Sequence, residues 1–140
     1  MIRQILAECQ QGFDPAEGDP GLKTGFNEVV LMLSNTAATS EVYMLLDDLR
    51  FSETGDIVTF MAEGGTHLHM YMDKIQEVRF LHQTNDAGQP SYSVWFMDDN
   101  QDPVLRIYLR KSEQEETNQP RHDLFMALLG KYGAALQIDT

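Results

Sequence analysis

Apolar positions change their period partway along the chain. Ile2, Ile5, Leu6 and Cys9 recur three and four residues apart, the spacing that gathers side chains on one helical face, so residues 2–12 are expected to form a short amphipathic helix. Asp14-Pro15 and Gly18-Asp19-Pro20-Gly21 follow as a run of helix breakers. Thr24 is placed to cap a second helix reaching Asn35, with Val29, Val30, Met32 and Leu33 as its apolar positions. Ala37-Ala38-Thr39-Ser40 then reads as a small, polar connector.

From Glu41 onward short apolar runs alternate with turn residues. Val42-Tyr43-Met44-Leu45-Leu46 predicts a strand, with helix left open because the run is short. Ser52-Glu53-Thr54-Gly55-Asp56 predicts a turn and residues 57–61 a strand. After a Gly64-Gly65 turn, strands are expected over 66–72, 75–82, 91–97 and 104–110. The connections between them are too short for a parallel crossover, so neighbours must run antiparallel. Residues 112–119 are polar and predict a loop. A closing helix over 121–136 would carry Leu124, Phe125, Leu128, Leu129 and Tyr132 on one stripe. The order is helices, then five or more strands, then a helix. That predicts an α+β fold, a broad antiparallel sheet flanked by N- and C-terminal helices, rather than alternating βαβ units. No GxGxxG, P-loop or GxSxG motif occurs, which argues against three large functional classes.

Composition narrows the field. A chain of 140 residues with 42% hydrophobic content is expected to form a single domain over 1–140 with its own core. The net charge of −12 opposes binding to phosphate backbones, which draws its affinity from Lys and Arg. No apolar run approaches the roughly 18 residues of a membrane span, and the first residues are too polar for a secretory signal. One cysteine excludes an internal disulfide and a cysteine zinc cage. A cytoplasmic protein that contacts neither nucleic acid nor membrane is the expectation.

The chemistry concentrates in Thr66-His67-Leu68-His69-Met70-Tyr71-Met72. Strand alternation puts Leu68, Met70 and Met72 on one face and His67, His69 and Tyr71 on the other. Two histidines at this spacing sit roughly 6–7 Å apart along the strand, which suits a zinc or copper site completed by a third ligand. One imidazole above an apolar cleft suits an axial ligand to haem iron. An ordinary solvent-facing strand accounts for the same pattern. On a later strand Val104, Arg106, Tyr108 and Arg110 share one face, and Leu105, Ile107 and Leu109 the other. Arginine beside aromatics could receive an apolar plate with carboxylate edges, or could simply pair across the sheet with acids. In residues 92–97 both faces are apolar, as expected of a central, covered strand. His82 and His122 read as surface residues, and Asp47-Asp48 and Asp98-Asp99 as turn residues with no catalytic role.

The runs His69-Met70-Tyr71-Met72-Asp73-Lys74-Ile75-Gln76-Glu77-Val78-Arg79-Phe80, Ser93-Val94-Trp95-Phe96-Met97-Asp98 and Val104-Leu105-Arg106-Ile107-Tyr108-Leu109 together resemble the HemS, ChuX and HutX haem-utilisation family across residues 55–135. The resemblance implies a cytoplasmic haem binder or carrier that pairs as a homodimer. His69 falls on the family's haem-coordinating strand histidine and Arg106 on a basic position of the penultimate strand. A second histidine that some members carry on the preceding strand has no counterpart near Ser40. The expected assignment is therefore haem as cofactor, His69 as axial ligand, Tyr71 beside it, and Arg106 and Arg110 as propionate contacts. Haem degradation enters by analogy with double-length relatives. Two other readings remain: a divalent-metal site at His67 and His69, and a non-catalytic dimeric interaction module of the same fold.

Overall fold

The computed structural model describes residues 1–11, 28–46, 48–84, 86, 88, 90–109 and 119–138. Helix α1 (Ile2–Gln11) opens the chain, and its expected stripe of Ile2, Ile5, Leu6 and Cys9 is buried. Strands β1 (Glu28–Ser34), β2 (Thr39–Leu45), β3 (Leu49–Phe51), β4 (Ile57–Met61), β5 (His67–Tyr71), β6 (Glu77–Thr84), β7 (Pro90–Met97) and β8 (Pro103–Tyr108) follow, then helix α2 (Gln119–Tyr132) and a last strand β9 (Ala135–Gln137). Six strands form one sheet in the order β2-β1-β8-β7-β6-β9, and β3-β4-β5 form a second. Among the described residues all strand pairings are antiparallel. This is the α+β architecture expected, a broad antiparallel sheet with one helix toward each end of the chain.

The largest departure is at the expected second helix. From Glu28 the chain is a strand; Thr24 and the 14–21 breaker run lie outside the described residues. Val29, Val30 and Leu31 are consecutive and all buried: Val29 and Leu31 face the core, while Val30 on the other face lies between Tyr43 and Tyr108 of the strands that flank β1. Such a strand loses its polar alternation and becomes a continuous apolar run, which periodicity alone cannot separate from a helix. Asn35 closes the β1–β2 hairpin by accepting the Ala37 and Ala38 N–H groups at 2.8 and 2.9 Å, so Thr39 and Ser40, expected as connector, already belong to β2. The closing helix stops at Tyr132 rather than 136. Gly133 adopts φ +81° and its N–H bonds the Leu129 carbonyl at 2.9 Å, a glycine helix stop that frees residues 135–137 to pair with β6. The three-residue β3 was not expected either.

One buried cluster joins these layers. Val29, Leu31, Met44, Val78, Phe80, Val94, Phe96, Leu105 and Ile107 come from one face of the large sheet. Against them lie Ile5 and Leu6 of α1, Phe125 and Leu128 of α2, and Val58, Phe60 and Met70 of the small sheet. Trp95, Arg106 and Met32 occupy the opposite, outer face, where cross-strand register places Arg106 next to both of the others. The central position of β7 is as expected, with Tyr92, Ser93, Val94, Phe96 and Met97 buried. Asp98 is a turn residue, its carboxylate accepting the Asn100 and Asp102 N–H groups at 2.9 and 3.0 Å.

Candidate functional site

Gly64 and Gly65, at φ +76° and +83°, reverse the chain between β4 and β5. Both sit in the left-handed region that side chains other than glycine seldom adopt. The resulting register sets Thr59 opposite His69, Ile57 opposite Tyr71 and Met61 opposite His67. The alternation expected from sequence holds: His67, His69 and Tyr71 are exposed, Met70 is buried and Leu68 half-buried. Beyond Tyr71 the strand gives way to a single 3₁₀ turn, Met72–Lys74, and buried Ile75 ties the turn to the core.

Both imidazoles are held by one ring nitrogen. His69 Nδ1 lies 2.7 Å from Thr59 Oγ1. His67 Nδ1 lies 3.0 Å from the Gly65 carbonyl oxygen, which can only accept, so this nitrogen carries the proton. Nε2 is then the nitrogen left for a metal, since the hydrogen bond on one ring nitrogen decides the role of the other. The two rings meet edge to face with centroids 4.9 Å apart.

Beside this face runs an open groove of about 140 Å³, lined by Leu33, Leu68, His69, Met70, Tyr71, Lys74, Val104 and Leu105. Its walls are aliphatic except for an imidazole, a phenol and an ammonium group. Its volume is smaller than the roughly 300–1,000 Å³ of a pocket that encloses a small ligand. It can therefore seat an edge of a larger plate rather than swallow it.

The basic residues nominated from sequence lie elsewhere. Arg106 leaves β8 on the side opposite Leu105, and its guanidinium stacks over the Trp95 ring at 4.2 Å. Its Nη1 donates to Met32 Sδ at 3.4 Å, while its Nε is buried with no hydrogen-bond partner. Arg110 is outside the described residues. Thus His69 and Tyr71 share the groove, His67 meets the His69 ring without lining it, and Arg106 does not join them within one chain. Sequence reasoning passed over Thr59 and Lys74. Thr59 becomes visible only once β4 and β5 are in register, and Lys74 only once the 3₁₀ turn swings it toward the groove. His122, read as a surface residue, is half-buried and hydrogen-bonded through Nδ1 to the buried Tyr92 hydroxyl at 2.8 Å.

A family model matches residues 25–131, well over half the chain. The chain belongs to the family that this model describes, and it shares the fold of ChuX, ChuS and PhuS. ChuX superposes with a TM-score of 0.69 at 10% identity, over 93% of this chain and 71% of ChuX. The Escherichia coli heme oxygenase ChuS gives 0.68 at 13% identity, over 91% of this chain and 34% of ChuS. Holo-PhuS, a haem-binding protein from Pseudomonas aeruginosa, gives 0.63 at 10% identity, over 87% of this chain and 31% of PhuS. The family member described here thus spans only about a third of the length of the ChuS and PhuS chains. No curated protein matches the sequence.

The groove fits haem in three respects: an imidazole with one nitrogen fixed and the other free, aliphatic walls, and a cation at the rim. Among the described residues no group of three or more His, Cys, Asp or Glu is placed to hold a metal ion, so a bare divalent cation would find two imidazoles only. No helix among the described residues is long and apolar enough to cross a membrane.

Proposed function

We propose that this chain is a cytoplasmic haem-binding carrier in which His69 Nε2 is the axial ligand and the porphyrin edge lies along the groove beside β5. The observation that carries the reading is the His69 ring, fixed through Nδ1 by Thr59 at 2.7 Å next to aliphatic walls. Haem iron is commonly held by one such proximal imidazole. ChuX is named a heme binding protein and PhuS a haem-binding protein, which supports the same ligand here. Tyr71, 55% exposed, lines the groove beside His69. The proposed propionate contacts of Arg106 and Arg110 are part of the reading, and Arg106 requires a second copy to present its outer sheet face to the groove. That is where a homodimer enters.

Titration with hemin tests the assignment. A Soret shift is expected for the wild type and is expected to be lost in His69→Ala. An unshifted wild type, or a His69→Ala variant that binds unchanged, overturns it. A second reading, a divalent-metal site, is favoured by the 4.9 Å approach of the His67 and His69 rings. It requires zinc to be retained by the wild type and released when either histidine is replaced.

A further inference from the structure

The described basic side chains are nearly all occupied. Arg50 pairs with Asp48, Arg79 with Glu77 and Lys131 with Glu8. Arg3 lies over the Phe51 ring and Arg106 over Trp95. Lys74 is the exception: it is exposed and, among the described residues, has neither an ion pair nor a ring contact. It also lines the groove with His69 and Tyr71. In a chain of net charge −12, an uncommitted ammonium group beside an aliphatic groove stands out, because most of the other described cations already face a carboxylate.

We infer that Lys74 is the carboxylate anchor of the groove, so that it accepts apolar plates carrying an acidic edge in preference to neutral ones. The inference rests on the haem reading above and deepens it. The backbone gives the reason for the position. Tyr71 ends β5, the 3₁₀ turn Met72–Lys74 bends the chain, and the Ile75 N–H bonds the Met72 carbonyl at 3.2 Å. Buried Ile75 then fixes where the turn leaves the sheet. Lys74 is thereby set at the rim while His69 stays on the wall, which matches a ligand whose metal and acid groups lie at its centre and edge. A lysine serves here as a point charge on a flexible stem and demands no bidentate geometry. Arg106 cannot take this role within one chain, because it departs on the other side of β8.

The test compares two probes: hemin, and hemin with both propionates capped as amides. The wild type is expected to bind hemin about three- to tenfold more tightly than the amide, the range between an exposed ion pair and a charge-assisted hydrogen bond. Lys74→Met should lower the ratio at least twofold, Lys74→Arg should restore it, and added salt should shrink it in the wild type. A ratio that Lys74→Met leaves unchanged, with the Soret shift intact, overturns the anchor and leaves the haem reading standing. No Soret shift with either probe overturns both.

Discussion

The two faces of the small sheet should separate stability from binding, and Phe60 and His69 are the pair that tests this. Phe60 sits on β4 at 1% exposure, within the cluster shared with Val58, Met70 and the large sheet. Phe60→Ala removes a whole ring from a site bounded by two sheets, where relaxation is restricted from both sides. Replacements of this kind cost about 3–5 kcal/mol, a large share of the roughly 5–15 kcal/mol that holds an ordinary domain together. With an unfolding entropy of about 2.1 cal/mol/K per residue over 140 residues, each kcal/mol corresponds to roughly 3 °C. The melting temperature should therefore fall by about 10–17 °C. His69 lies on the neighbouring strand, facing the other way and exposed. His69→Ala should move the melting temperature by no more than about 2 °C, as surface substitutions stay within about 0.5 kcal/mol. Circular dichroism melts of both variants without added ligand measure this directly. Near-equal losses for the two, or a Phe60→Ala loss under about 3 °C, would refute the assignment of faces.

Other outcomes follow from single contacts. Thr59→Val removes the group that holds His69 Nδ1 and should weaken hemin binding about tenfold, the low end for loss of a partner behind a metal ligand; Thr59→Ser should bind like the wild type. Glu8 joins the two helices by accepting from Lys131 Nζ at 2.5 Å and Tyr132 Oη at 2.9 Å. Burial alone would raise its pKa, but bonds from Lys131, Tyr132 and Gln4 outweigh this and hold it below 4.5. The folded chain then prefers the carboxylate, so this contribution is present above pH 4.5 and is lost as pH falls through the lowered value. Melts of the wild type and Glu8→Gln should differ at pH 7 and converge in acid; a gap independent of pH counts against the contact. Cys9 is buried, and burial, with the nearby Glu8 charge, pushes its thiol up to about 12. It should resist a thiol reagent at pH 8 in the native state and react once denaturant is added, and rapid native labelling would contradict that placement.

Much of this was legible before any coordinates, and the misses share a cause. The β4, β5, β6, β7 and β8 segments were readable because turn residues bracket them and at least part of each alternates. The β1 segment was misread because its surroundings, not its own pattern, remove the polar face. Residues 135–137 were misread because apolar Leu136 extends the helical stripe; only the Gly133 conformation ends it. On β5 the face carrying His67, His69 and Tyr71 follows from period two alone. What β5 faces across space does not. Leu105 was assigned to the core side of β8, and it lines the groove; that already implied Arg106 on the far side, but linking the two required knowing how the small sheet packs on the large one. Val104, grouped with Arg106 by alternation, also borders the groove, next to the register irregularity at Phe96 and Met97.

The opposed positions of His69 and Arg106 constrain any dimer that serves haem. If Arg106 touches a propionate, it does so from a second copy, with the outer face of one large sheet brought against the groove of the other chain. A single contact of that kind joins unlike surfaces and would propagate as a filament, whereas a closed two-fold pair must make it twice, reciprocally. A discrete dimer then has two equivalent sites, each with His69 from one copy and Arg106 from the other. Arg106→Ala mixed with His69→Ala would restore one complete site per mixed dimer, together with one site lacking both groups. Hemin titration of the mixture, against each variant alone, reads this out. Arg106→Ala should weaken binding and His69→Ala abolish the Soret shift, while the mixture should regain a fraction of wild-type sites at wild-type affinity. A mixture that behaves as the plain average of its components would remove Arg106 from the site and leave the Trp95 stack as its whole role.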